Sequence, residues 1–141
     1  MNFSGGMLKT QDIKELLGIV EVGQISQFVD SIVRQNAKDA IVQLNVMAEE
    51  GVDLQEFAKT LVFYLRQALL LKINPDFLTA QNSGLSAEEI ATMRKQTGEL
   101  TEKAIQNMLE LFIDAENKMK YSNILQLPLE LAIIDITQKE S

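Results

Sequence analysis

Apolar residues recur at helical spacing along this chain, and nowhere do they alternate as they would on a half-buried strand. The longest such run covers positions 54–73. Asp53, with Glu56 three residues on, resembles a capping box at its start, and Asn74-Pro75 stops it. Val and Ile fall inside these helical patterns. The chain therefore reads as all-α: a single compact domain of about six to seven helices. At 141 residues it is one domain's length, and it can bury a core without staples.

Local punctuation places the other helices. Thr10 caps a short segment at 11–17 with Gly18 as its stop, and Ile13, Leu16 and Leu17 form its apolar face. Gly23 opens a helix over 24–34. Asn36 caps one over 37–50, which Gly51 ends. Positions 75–84 form a loop with no assigned role. Ser86 and Glu89 make a standard capping box for a helix to Thr97, and Gly98 breaks it. Thr101 caps a long helix over 102–121. Pro128 suits the first turn of a last helix over 127–136. Residues 1–9 read as a linker remnant or cloning scar, 10–137 as the helical domain, and 138–141 as a frayed tail.

Composition narrows the chemistry. With no Cys and no His, the chain lacks a disulfide framework, a thiolate zinc site, a cysteine nucleophile and the commonest general base. The paired carboxylates Glu49-Glu50 and Glu88-Glu89 point about 100° apart on their helices and sit at helix ends, as solvated charge. Gly5-Gly6 lacks the Gly-Lys-Ser/Thr pattern of a phosphate loop. No catalytic, cofactor or metal residue is therefore assigned. The net charge of −7 opposes binding to phosphate backbones or anionic membranes. The basic residues Lys118 and Lys120 end a helix, where Glu116 lies four residues before Lys120 for a helical pair. No apolar run approaches the ~20 residues of a membrane span, and no signal peptide is visible, so a cytoplasmic location is expected.

The informative feature is where apolar surface lies. On a helical wheel the 102–121 helix is one-sided, with Ala104, Ile105, Met108, Leu109, Leu111, Phe112, Ala115 and Met119 on its apolar side. The 54–73 helix is different. Gln55, Glu56, Lys59, Thr60, Arg66 and Gln67 define a narrow polar sector, and Phe63, Leu70 and Ile73 lie inside it. Those three follow an i, i+7, i+10 line. They are candidate partner-interface residues unless the helix is central enough to bury them. The last helix is apolar almost throughout, with Glu130 and Asp135 the exceptions.

Three stretches carry a resemblance. The opening Asp12-Ile-Lys-Glu-Leu-Leu-Gly18 is followed by Glu49-Glu-Gly-Val-Asp-Leu-Gln-Glu-Phe57. That runs into Leu61-Val-Phe-Tyr-Leu-Arg-Gln-Ala-Leu-Leu-Leu-Lys72, and the chain closes with Leu127-Pro-Leu-Glu-Leu-Ala-Ile-Ile-Asp-Ile136. Their order and spacing resemble the third domain of bacterial DNA polymerase III gamma/tau subunits, the helical collar of the clamp loader. The resemblance implies an oligomerisation role: holding subunits in a ring so that ATPase modules can load the sliding clamp during replication. The implied partners are further gamma/tau copies, delta and delta-prime, with small accessory subunits besides, and no direct contact with nucleic acid or membrane. ATP and zinc are implied only for the family's preceding domains, whose phosphate loop, arginine finger and cysteines do not occur here, so this stretch is expected to be no enzyme. A different class of function is a free-standing helical adaptor that takes a partner helix or peptide in an apolar groove. An enzyme working through carboxylates and Mg²⁺ is a third.

Overall fold

The computed structural model describes residues 20–79 and 81–138. The expected 11–17 helix, the 1–9 linker and the last residues of the expected tail lie outside them. The described residues form six α-helices in order: α1 (Val22–Val33), α2 (Ala37–Glu49), α3 (Leu54–Ile73), α4 (Ala87–Thr97), α5 (Glu102–Met119) and α6 (Leu127–Thr137). A 3₁₀ turn, Pro75–Phe77, follows α3, and no strand occurs among the described residues.

The caps explain the boundaries. Asn36 Oδ1 accepts the Asp39 N–H at 3.0 Å, and Thr101 Oγ1 accepts the Ala104 N–H at 3.0 Å. Ser86 and Glu89 form the reciprocal box, with bonds of 2.9 and 3.0 Å. Asp53 Oδ1 accepts from the backbone N–H of Gln55 and Glu56, but Glu56 turns outward to Lys59 instead of reaching back. The first helix begins before Gly23 and not after it. The Gln24 side chain accepts the Glu21 N–H at 3.2 Å, so the cap falls upstream of the glycine, at Glu21. Gly51, at φ +86°, supplies the left-handed residue that ends α2, and the Val52 N–H then reaches back to the Met47 carbonyl.

α3 runs through the centre of the bundle and packs most extensively on α5, with α4 and α1 also against it. Phe28 of α1, Phe57 of α3 and Phe112 of α5 meet there. Ring centroids lie 5.1 and 6.0 Å apart in edge-to-face arrangements, which aromatic quadrupoles favour. α6 packs on the far side of α5 and against α2. The 102–121 helix buries Ile105, Met108, Phe112, Ala115 and Met119, as its one-sided pattern requires. It ends at Met119, and its closing ion pair is Asp114–Lys118, at 2.9 Å.

The 75–84 loop is folded closely onto α3. Leu78, Ser83 and Leu85 are buried, and Gln67 Nε2 donates to the Ser83 carbonyl at 2.5 Å. Gln67 is therefore only 3% exposed despite its place in the polar sector of the wheel. Its Oε1 has no hydrogen-bond partner among the described residues.

Candidate functional site

α3 has to satisfy neighbours on three sides, which is why it is apolar around most of its circumference. Leu54, Phe57, Ala58, Leu61, Tyr64, Leu65, Ala68 and Leu71 are buried by α1, α4 and α5. The remaining sector faces outward. It holds Phe63, 50% exposed, and Ile73, 51% exposed, while Leu70 between them is half-buried. Of that line, the bundle leaves Phe63 and Ile73 about half uncovered. Phe77, 46% exposed, extends the same end of the helix through the 3₁₀ turn and was not singled out by the sequence pattern. The signal that could have found it is the Asn74-Pro75 stop. Asn74 Oδ1 accepts the Asp76 N–H at 2.9 Å, and the Phe77 N–H donates to the Asn74 carbonyl at 3.0 Å, so the turn stays against the helix end.

Polar bonds hold this helix in place. Lys72 Nζ donates to the Thr97 and Gly98 carbonyls at 3.2 and 3.0 Å, closing the C-terminal end of α4. Tyr64 Oη donates to Gln96 Oε1 at 2.7 Å, and Gln96 Nε2 donates to the Ser26 carbonyl at 2.7 Å, so one side-chain bridge ties α1, α3 and α4. Burial pushes the Tyr64 hydroxyl above its ordinary pKa. These contacts fix the register of α3 and so the direction in which Phe63 points.

A second uncovered apolar surface lies at the chain's other end. Between Tyr121 and Ile134, six large apolar residues are exposed: Tyr121, Ile124, Leu125, Leu127, Leu131 and Ile134. The last three stand at i, i+4 and i+7 along α6, one stripe, while Leu129, Ala132 and Ile133 are buried on its other side. Gln126 Nε2 donates to Asn45 Oδ1 at 2.7 Å and pins the start of α6 to α2, where Val42 and Val46 are also exposed.

A concavity of about 950 Å³ forms a groove lined by polar side chains between α1, the start of α2 and α4. Three of its charges satisfy one another. Arg34 pairs with Asp30 at 3.0 Å and with Asp39 at 3.6 Å. The Ser31 hydroxyl donates to Asp39 at 2.6 Å and holds that carboxyl below its ordinary range. Among the described residues no three carboxylates gather as metal ligands would. Glu89 is occupied by its cap, and no helix among the described residues is long and apolar enough to cross a membrane.

These features make the chain a small helical scaffold with uncovered apolar faces, and comparison with known proteins says which scaffold. The family model described as domain III of DNA polymerase III subunits gamma and tau matches residues 8–141. The chain belongs to this family. DNA polymerase III subunit tau of Bacillus subtilis (strain 168) is 27% identical to it over 138 residues. That match takes in 98% of this chain and 24% of the tau subunit, so the chain spans about a quarter of the length of this relative. The gamma/tau domain III sequence in hand therefore carries Phe63, Leu70 and Ile73 on the outward sector of its central helix.

Proposed function

We propose that this domain is the oligomerisation, or collar, unit of a gamma/tau-type subunit of a bacterial clamp loader. It packs against further gamma/tau copies and against delta and delta-prime, and so holds ATPase modules in a ring while they place the sliding clamp on DNA. The observation that carries the reading is the outward sector of α3. A half-exposed Phe and a half-exposed Ile on the most central helix of the bundle are explained by a neighbour that covers them. Phe63, Leu70 and Ile73 are the residues assigned to that contact.

In this reading the chain contributes cohesion and no chemistry. ATP and zinc belong to preceding segments of the parent subunit, nucleic acid is held elsewhere in the loader, and the assembly works in the cytoplasm. The test is to remove the domain from the full-length parent subunit and measure native mass. Loss of the higher-order assembly is expected, with ATP binding by the preceding segments retained. A truncated subunit that still assembles to the original mass would sink the collar assignment.

A further inference from the structure

α4 is held to the bundle as much by polar bonds as by packing. Of its 11 residues only Ile90, Met93 and Thr97 are buried, whereas α6, of the same length, buries five. α2 also buries three, but Ala37, Ile41 and Ala48 pack partly buried beside them, and α4 has no such second row. Two large apolar side chains are therefore all that it sends into the core. Glu88, Thr92, Arg94 and Lys95 stand in solvent on its outer side, and none of its charges is in an ion pair among the described residues. It packs on α1 and α3, and the Phe28–Phe57–Phe112 cluster joins α1, α3 and α5 without it.

What ties α4 down lies at one end. The box of Ser86 and Glu89 closes its start upon itself, with no bond to the rest of the bundle. The cross-helix bonds gather at 96–98: Gln96 bridges the Tyr64 hydroxyl and the Ser26 carbonyl, and Lys72 holds the Thr97 and Gly98 carbonyls. Such bonds are exchanged for bonds to water at small net cost, while buried apolar area is not. Few buried apolar side chains and a polar latch mark a segment that opens below the free energy of global unfolding.

We propose that α4 is a strap. It undocks from α1 and α3 as one unit while the remaining helices keep their core, and the Tyr64–Gln96–Ser26 bridge is its latch. Undocking uncovers Tyr64, which is 4% exposed when the strap is closed. Since the same bonds fix the register of α3, closing the strap stiffens the helix that carries Phe63. The inference is independent of the oligomerisation reading.

Native-state hydrogen exchange on the whole chain tests it. The amides of residues 91–97 should share one opening and exchange about a hundredfold faster than those of 106–119 in α5. Gln96→Ala should speed the α4 amides about tenfold more and leave the α5 amides unchanged. A second readout is O-acetylation by N-acetylimidazole: Tyr64 should react through the same opening, faster in Gln96→Ala by the same factor, with the exposed Tyr121 reacting equally in both chains. Exchange of the α4 amides as slow as that of α5 would overturn the strap, and this comparison needs no variant. So would amides 91–97 that exchange at unrelated rates, as in simple fraying. A Gln96→Ala chain that speeds α4 and α5 alike, or leaves the Tyr64 rate unmoved, would show that the bridge supports the whole fold and latches nothing.

Discussion

Replacing Phe63 with Ser separates the two roles that an apolar residue on a central helix can have. Phe and Ser have similar helix propensities, so the change acts through contacts. A fully buried Phe side chain contributes roughly 1.5–3 kcal/mol by transfer. Phe63 is half covered within its own domain. Its loss should therefore cost the fold about 1–1.5 kcal/mol, or roughly 3–7 °C in Tm for a domain of this size. A core Phe such as Phe57, which is fully buried, should instead cost about 3–5 kcal/mol. In a subunit contact the exposed half of Phe63, about 100 Å², would be covered, which contributes roughly 2–3 kcal/mol. That is about 30- to 150-fold in the dissociation constant. Thermal melts and sedimentation equilibrium on the one variant read both quantities. A drop of core size in stability with association unchanged would show that Phe63 supports the fold and not a partner.

Three further outcomes follow from particular residues. Because Tyr64 is held above its ordinary pKa by burial, its neutral form stabilises the fold below about pH 10, and that contribution is lost as pH rises through the folded value. Melts in alkaline buffer should fall more steeply for the parent than for Tyr64→Phe, and parallel curves would contradict the assignment. Gln67→Ala removes the bond that holds the Ser83 carbonyl and should cost about 1–3 kcal/mol, with earlier proteolysis inside residues 75–85; an unchanged cleavage pattern would show that the loop is held by Leu78 and Leu85 alone. The acidic chain should give no heat with Mg-ATP by titration calorimetry and no mobility shift with DNA at ~150 mM salt in the micromolar range, and a saturable signal in either assay would give the domain a ligand-binding role.

How far the fold could be read from the chain depended on how local the signal was. Asn36, Asp53, Ser86 and Thr101 bond backbone groups two or three residues away, so their helices start where the sequence puts them. The start of α1 was misplaced for the same reason: its cap is a Glu–Gln pair and not the usual Ser or Thr, and the nearby Gly23 was the louder mark. Gln67 looked solvated because its burial depends on a loop that returns sixteen residues later. Likewise, Glu116–Lys120 and Asp114–Lys118 have the same spacing, and the helix closes on the second. At the candidate site, the wheel put Phe63, Leu70 and Ile73 together, but whether they are covered depends on where α1, α4 and α5 pack, which no single helix encodes. The α6 stripe was harder still. A helix apolar all round has no direction in its own pattern, and only the packing of Leu129, Ala132 and Ile133 inward leaves Leu127, Leu131 and Ile134 outside.

Oligomerisation by this domain can be put to proof with the unmodified chain alone. Sedimentation equilibrium across a series from micromolar to millimolar should give an average mass that starts near the 15.8 kDa of one copy and climbs steadily with concentration. The association should be weak, since in the parent subunit other contacts raise the effective concentration. A mass that stays at one copy to the top of the series would contradict it.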